Sequence, residues 1–256
     1  MSYTDYLAPA GLRVRGTVIV VPGRGETRAI YARFGSRLAY DAYRVRVVDL
    51  PDVDPADPAT FLCELGHLLS RAIADIADEL PDGLVRPLAL AGSDLGAAGL
   101  SALVATGDSS TVWWPQALVL AALPGYSAPG RGGWDDELDL RTHCPVHRSV
   151  LTSDASVRRG ALADPVPAEL LDVVYGSTAD TPQLLLAGHA DSLADRSALA
   201  RAAKTLPTAR FVVVRGAHHD VLNDLQHRSV AAEIVAFLEA VRDDLSPAIA
   251  VEASAW

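Results

Sequence analysis

Cysteine is scarce in this chain: Cys63 and Cys144 are the only two among 256 residues, and they lie far apart. That excludes a disulfide-stapled scaffold and makes a reducing compartment, the cytoplasm, the expectation. Lysine is scarcer still, with Lys204 alone, and the other cations are arginine, which reads as coding bias. The formal net charge is −10. Nucleic acid is excluded as a partner on that ground, because its binding rests on Lys and Arg neutralising phosphates. No apolar run approaches the roughly 20 residues that cross a bilayer, so no membrane span is expected. The opening MSYTDYLAPAG carries acid and proline where a secretory signal would carry basic residues and an apolar stretch.

What is present is half apolar and 21% charged, enough for a sizeable core in one domain with an insertion. Short apolar runs at 16–23, 43–51, 86–94, 116–125, 182–191 and 210–219 are β-branched or leucine-rich and bounded by Gly or Pro, as strands are. Most are apolar on both faces, which a parallel sheet covered by helices requires. Amphipathic stretches at 27–41, 58–80, 95–106, 193–205 and 224–243 predict helices between them; in the last, Val230, Ile234, Val235 and Leu238 recur at helical spacing. Alternation of this kind predicts an α/β fold, a mostly parallel central sheet with helices on both faces. Residues 126–181 break the rhythm, being rich in Pro, Gly and charge and too long for an ordinary connection. They are expected to form a small cap insertion over the strand ends, with 1–125 and 182–256 making the core.

AGSDLGAAG (91–99) follows an apolar run and opens a stretch of small helix formers. A strand that turns sharply into a helix with a functional residue at the tip needs small residues two positions to either side. Centred on Asp94, those positions are Gly92 and Gly96; centred on Ser93, they are Ala91 and Leu95, and leucine fits poorly. Asp94 also tolerates positive φ better than most residues. The rival reading is a plain helix N-cap by Ser93 or Asp94. Three other segments shift the balance. PGRGETRAIY (22–31), after the first long strand, places the Arg24 amide where it and the Leu95 amide form an oxyanion hole. LLLAGHAD (184–191) puts Asp191 just past a strand end, and VRGAHHDVLND (214–224) puts His219 on the loop after the last strand.

On these residues the chain resembles the α/β-hydrolase superfamily over nearly its whole length, and most of all its monoacylglycerol lipase and lysophospholipase branch. Pro22 through Tyr31 match that branch's HGxGExxxxY loop with proline in place of histidine. Gly216, His219, Asn223 and Asp224 match its GxxHxxxNE-like loop, which points to His219 rather than His218. The branch carries serine where this chain has Asp94. Aspartate there is similar to haloalkane dehalogenases and epoxide hydrolases, although those follow it with tryptophan and here Leu95 follows.

An aspartate is already ionised near neutral pH and attacks carbon directly to form an enzyme ester. On an ordinary ester it would form an anhydride, so displacement at sp³ carbon, an epoxide or alkyl halide, is the chemistry that suits it. The reading is therefore a hydrolase with an Asp94-His219-Asp191 triad and the Arg24 and Leu95 amides as oxyanion hole, acting on a small hydrophobic molecule without cofactor. Two alternatives stay open: Asp94 and His219 as acid and base for an elimination or cyclisation in a lineage that lost its serine, and a non-catalytic ligand-binding protein. HCPVH (143–147) invites a metal reading, but Pro145 interrupts the segment and zinc sites need three or four ligands, so no metal is expected. Gly23 and Gly25 lack the Lys-Ser/Thr ending of a phosphate loop and the third glycine of a dinucleotide fingerprint.

Overall fold

A computed structural model of the chain describes residues 3–79, 83–127, 130 and 132–249. Its strands are β1 (Thr4–Tyr6), β2 (Gly16–Val21), β3 (Tyr43–Val47), β4 (Leu88–Ser93), β5 (Ala117–Ala121), β6 (Gln183–Gly188) and β7 (Ala209–Val214). They form one sheet in the order β1-β3-β2-β4-β5-β6-β7. β1 runs antiparallel to β3, and the other neighbouring pairs are parallel. The helices are α1 (Ala32–Tyr40), α2 (Pro58–Glu79), α3 (Asp94–Thr106), α4 (Trp134–Arg141), α5 (Pro145–Ser153), α6 (Ala168–Tyr175), α7 (Arg196–Thr205) and α8 (His227–Arg242).

All six expected strands are present, each somewhat shorter than its apolar run. β1 went unpredicted because three residues are too few to display a period of two. The helix expected over 27–41 begins with a 3-10 turn, Arg28–Tyr31, before α1. Residue 80 of the helix expected over 58–80, and residues 128, 129 and 131 of the expected insertion, lie outside the described residues.

Side chains alternate across each strand, so one strand feeds two cores. Ile19, Val21, Leu88 and Leu90 pack with Phe61, Leu65 and Leu100 from α2 and α3. Val18, Val20, Val45 and Val47 pack on the opposite face with Phe34 and Leu38 of α1 and Ile234 and Leu238 of α8. The chain leaves β2 for β3 on one side and then returns for β4 on the other. That reversal separates the loops following β2 and β4 and opens a crevice at their carboxyl ends.

The segment between β5 and β6 folds as α4, α5, a 3-10 turn at Ala161–Ala163 and α6. α6 packs against α3. The earlier part is bonded to the crevice loops through backbone: Arg158 N–H donates to the Gly25 carbonyl at 3.0 Å, Asp220 N–H to Arg141 at 2.8 Å and His219 N–H to Leu140 at 3.2 Å.

Candidate active site

Asp94 stands at the tip of the β4–α3 turn with φ +50°. A helix N-cap has extended backbone, and here that place belongs to Ser93 at φ −119°, whose side chain makes no capping bond. The carboxylate of Asp94 turns away from the helix, which removes the plain-cap reading. The flanking glycines are required by close approach: a Cβ on Gly92 would stand 2.6 Å from Ala97 N, and one on Gly96 would stand 2.3 Å from the Pro22 carbonyl oxygen. Gly96 therefore lets the loop after β2 lie against the turn after β4.

His219 and Asp191 arrive from the loops after β7 and β6. His219 Nδ1 lies 3.0 Å from Asp191 Oδ2, and its Nε2 lies 3.3 Å from Asp94 Oδ1. Leu193 N–H donates to Asp191 Oδ1 at 2.9 Å and holds that carboxylate in place. Asp94 and His219 are 2% and 0% exposed. Burial alone would push the imidazole's pKa down, but Asp191 and Asp94 on either side outweigh it and raise it to about 10. Burial would likewise raise Asp94, yet the Arg24 charge and the His219 contact hold its carboxyl well below the ordinary range. His219 is thus held toward its protonated form between two aspartates. The Nε2 contact with Asp94 lacks hydrogen-bond alignment, and Nε2 is buried without a hydrogen-bond acceptor among the described residues.

Arg24 contributes more than the amide expected of it. Its backbone N–H donates to Asp94 Oδ2 at 2.9 Å, its Nε donates to the same oxygen at 2.7 Å, and its Nη2 donates to Oδ1 at 2.8 Å. Nη1 is tied to the carbonyls of Leu162 and Asp164 in the insertion. This side-chain clamp was missed because an arginine between two glycines reads as a surface residue until the fold shows where it points. Leu95 is the second residue of α3, so its N–H has no intrahelical acceptor. A cavity of about 530 Å³ opens beside this loop, walled by Arg24, Glu26, Leu50, Val53, Leu95 and Arg158 among others.

A second buried cluster lies alongside. Arg141, at the end of α4, donates to the Arg24 carbonyl at 2.7 Å and to Glu137 Oε1 at 2.9 Å, and lies 3.4 Å from Asp220 Oδ1 and 4.0 Å from Glu26 Oε1. His147 Nε2 bonds Asp220 Oδ2 at 2.8 Å, and Tyr31 donates its hydroxyl proton to Glu26. Burial and the nearby Asp220 push the Glu26 carboxyl up; Asp220 is drawn down against burial by Arg141 and His147. Glu26, His147 and Asp220 would bring three ligand atoms within 4.8 Å of one another. Arg141 already occupies the cation's place beside both carboxylates, and Glu26 is further engaged by the Gly23 amide at 2.7 Å, so the donor set does not suit a metal ion. His147 was expected only to pack within the insertion; its partner Asp220, directly after His219, was the available signal.

The loop bearing His219 is anchored through Asp224, which accepts from Thr142 Oγ1 at 2.7 Å, His218 N at 2.7 Å and Cys144 N at 3.1 Å. His143 stacks on His218, with ring centroids 3.8 Å apart. Tyr126 donates to Asp172, Tyr175 to the Pro124 carbonyl, and Trp113 lies in the α2–α3 core.

No protein-family model and no curated protein sequence matches the chain. Its fold does match solved structures. A soluble variant of monoglyceride lipase from Saccharomyces cerevisiae, in complex with a substrate analog, superposes with a TM-score of 0.75 at 15% identity, over 93% of this chain and 91% of that one. The monoacylglycerol lipase of Paleococcus ferrophilus gives 0.68 at 16% identity over 94% and 98%. The enol-lactonase of Burkholderia xenovorans LB400 gives 0.63 at 14% identity over 93% and 96%. The parallel sheet, the turn carrying Asp94 and these neighbours together give one conclusion: the chain has the α/β-hydrolase fold.

Proposed function

We propose that the protein is a hydrolase in which Asp94 attacks an sp³ carbon and is regenerated by water, with epoxide opening the favoured reaction. The observation that carries this reading is the division of labour between the two oxygens of Asp94. Oδ2 accepts the Arg24 amide, while Oδ1 faces His219 Nε2. In an alkyl-enzyme ester one oxygen bears the alkyl group and the other becomes the oxyanion when water adds to the carbonyl carbon. An oxyanion-hole amide belongs on that second oxygen.

The protonation state favours a C–O bond over a C–halogen bond. Asp94 Oδ1 bonds to the epoxide carbon, the ring C–O bond breaks, and the departing oxygen takes the electron pair. It also needs a proton. His219, protonated and with an unspent Nε2–H, supplies one and becomes neutral. Esterification removes the Asp94 charge that helped hold the imidazole protonated, so the neutral base persists for the second half. His219 then takes a proton from water, the hydroxide adds to the ester carbonyl, and the diol leaves with Asp94 and the imidazolium restored. A halide needs no proton and would leave His219 unable to act as base. The apolar walls, Leu50, Val53 and Leu95, suit a small substrate with a hydrophobic body.

A second reading is favoured by the Arg24 clamp. A carboxylate held on both oxygens is better placed for acid–base work than for attack, so Asp94 and His219 would then serve an elimination or cyclisation. A single turnover in ¹⁸O-water separates the two. The covalent route puts label into the Asp94 carboxylate, read by peptide mass spectrometry; label found only in product overturns it.

A further inference from the structure

Arg24 both lines the cavity and holds Asp94, whereas Asp94 and His219 do not appear on the cavity wall among the described residues. Of these three residues Arg24 is the one that borders the cavity, with its side chain 5% exposed. For Asp94 Oδ1 to attack, the Nη2 bond to it must open, and a charged donor left without an acceptor out of water is costly. A neutral molecule offers no replacement. An anionic group does, and a planar guanidinium is shaped to accept a carboxylate through two parallel bonds.

We propose that the substrate carries a carboxylate next to its electrophilic carbon, and that this carboxylate engages Arg24 and frees Oδ1 of Asp94 for attack. The proposal rests on the reading of Asp94 as nucleophile and adds to it the substrate class, a small epoxy carboxylic acid. The remaining charges of the cavity are compatible with it. Arg158 stands on the same wall as a second cation, its guanidinium paired with Asp164. Glu26 is turned inward to Tyr31 and the Gly23 amide, and Asp52 is exposed, where water screens it. The two carbonyls that hold Nη1 would keep the guanidinium near Asp94 once its other bonds shift.

Bromoacetate and bromoacetamide test this, because they differ in charge and hardly in size. In each, an Asp94 oxygen bonds to carbon as bromide departs with the electron pair. The His219→Gln variant retains the ester, and peptide mass spectrometry counts the adduct on Asp94 separately from any on Cys63 and Cys144. Bromoacetate is expected to label Asp94 at least tenfold faster than bromoacetamide. Adding Arg24→Gln should abolish that preference, and Arg24→Lys should keep part of it, which covers the case where the glutamine variant fails to fold. Equal labelling by both reagents, or a preference for the amide, overturns the anionic substrate and leaves Asp94 as nucleophile. No labelling of Asp94 by either reagent overturns the nucleophile itself, and the substrate class with it.

Discussion

Replacing Arg141 by methionine removes the cation that joins the insertion to both loops of the candidate site. The side chain is 1% exposed and serves Glu137, Asp220 and Glu26 as well as the Arg24 carbonyl. Breaking a buried ion pair by deleting one partner costs about 3–5 kcal/mol. Leaving a buried carbonyl unpaired adds about 1–3 kcal/mol. The sum overstates the effect, since contacts within one network are not additive. Asp220 also keeps His147, and Glu137 keeps the Gly160 amide. A loss of about 4 kcal/mol is expected, a large fraction of the roughly 5–15 kcal/mol that folds a domain. Urea unfolding at neutral pH, read by far-UV circular dichroism, measures it as a fall in midpoint at constant slope. Two further results must accompany it. Adding Glu137→Gln and Asp220→Asn should restore part of the loss, because the stranded charges are gone. Acidification should narrow the gap to wild type, with Glu26, already pushed up, protonating first. A loss below about 1 kcal/mol would refute the premise that these buried charges depend on Arg141.

His219 is raised from 6.5 to about 10, so the stability it contributes is complete below pH 6.5 and is lost as pH rises through about 10. That window is worth about 5 kcal/mol at most, and unfolding free energies at pH 6 and pH 10 should fall for wild type and stay level for His219→Gln across it. Burst-phase formation of the Asp94 ester should vanish above pH 10, where the imidazole has no proton to give; a burst undiminished there would remove His219 as the acid. Gly96→Ala presses a methyl group against the Pro22 carbonyl and is expected to cost about 1–3 kcal/mol, seen as a lower Tm, while parting the Arg24 loop from Asp94. Gly66→Ala is its counterpart: inside α2, with no atom nearer than 3.8 Å to the added Cβ, it should raise stability by about 0.4–1 kcal/mol.

Much of this molecule was legible in the amino-acid order, because strands and tight turns are specified locally. Period, β-branching and bounding glycines located β2 to β7, and two glycines flanking Asp94 marked the turn that only they admit. Sequence position also assigned Asp191 and His219 to the ends of consecutive strands, which a parallel sheet gathers along one edge whatever else varies. Tertiary structure alone decided the charge state and the access. That Arg24 turns inward depends on carbonyls at 162 and 164 and on Arg141 beneath its peptide, contacts made across more than a hundred residues. The imidazolium, too, exists only where folding has taken two carboxylates and a guanidinium out of water together, since charges so placed shift one another by amounts that no local pattern encodes.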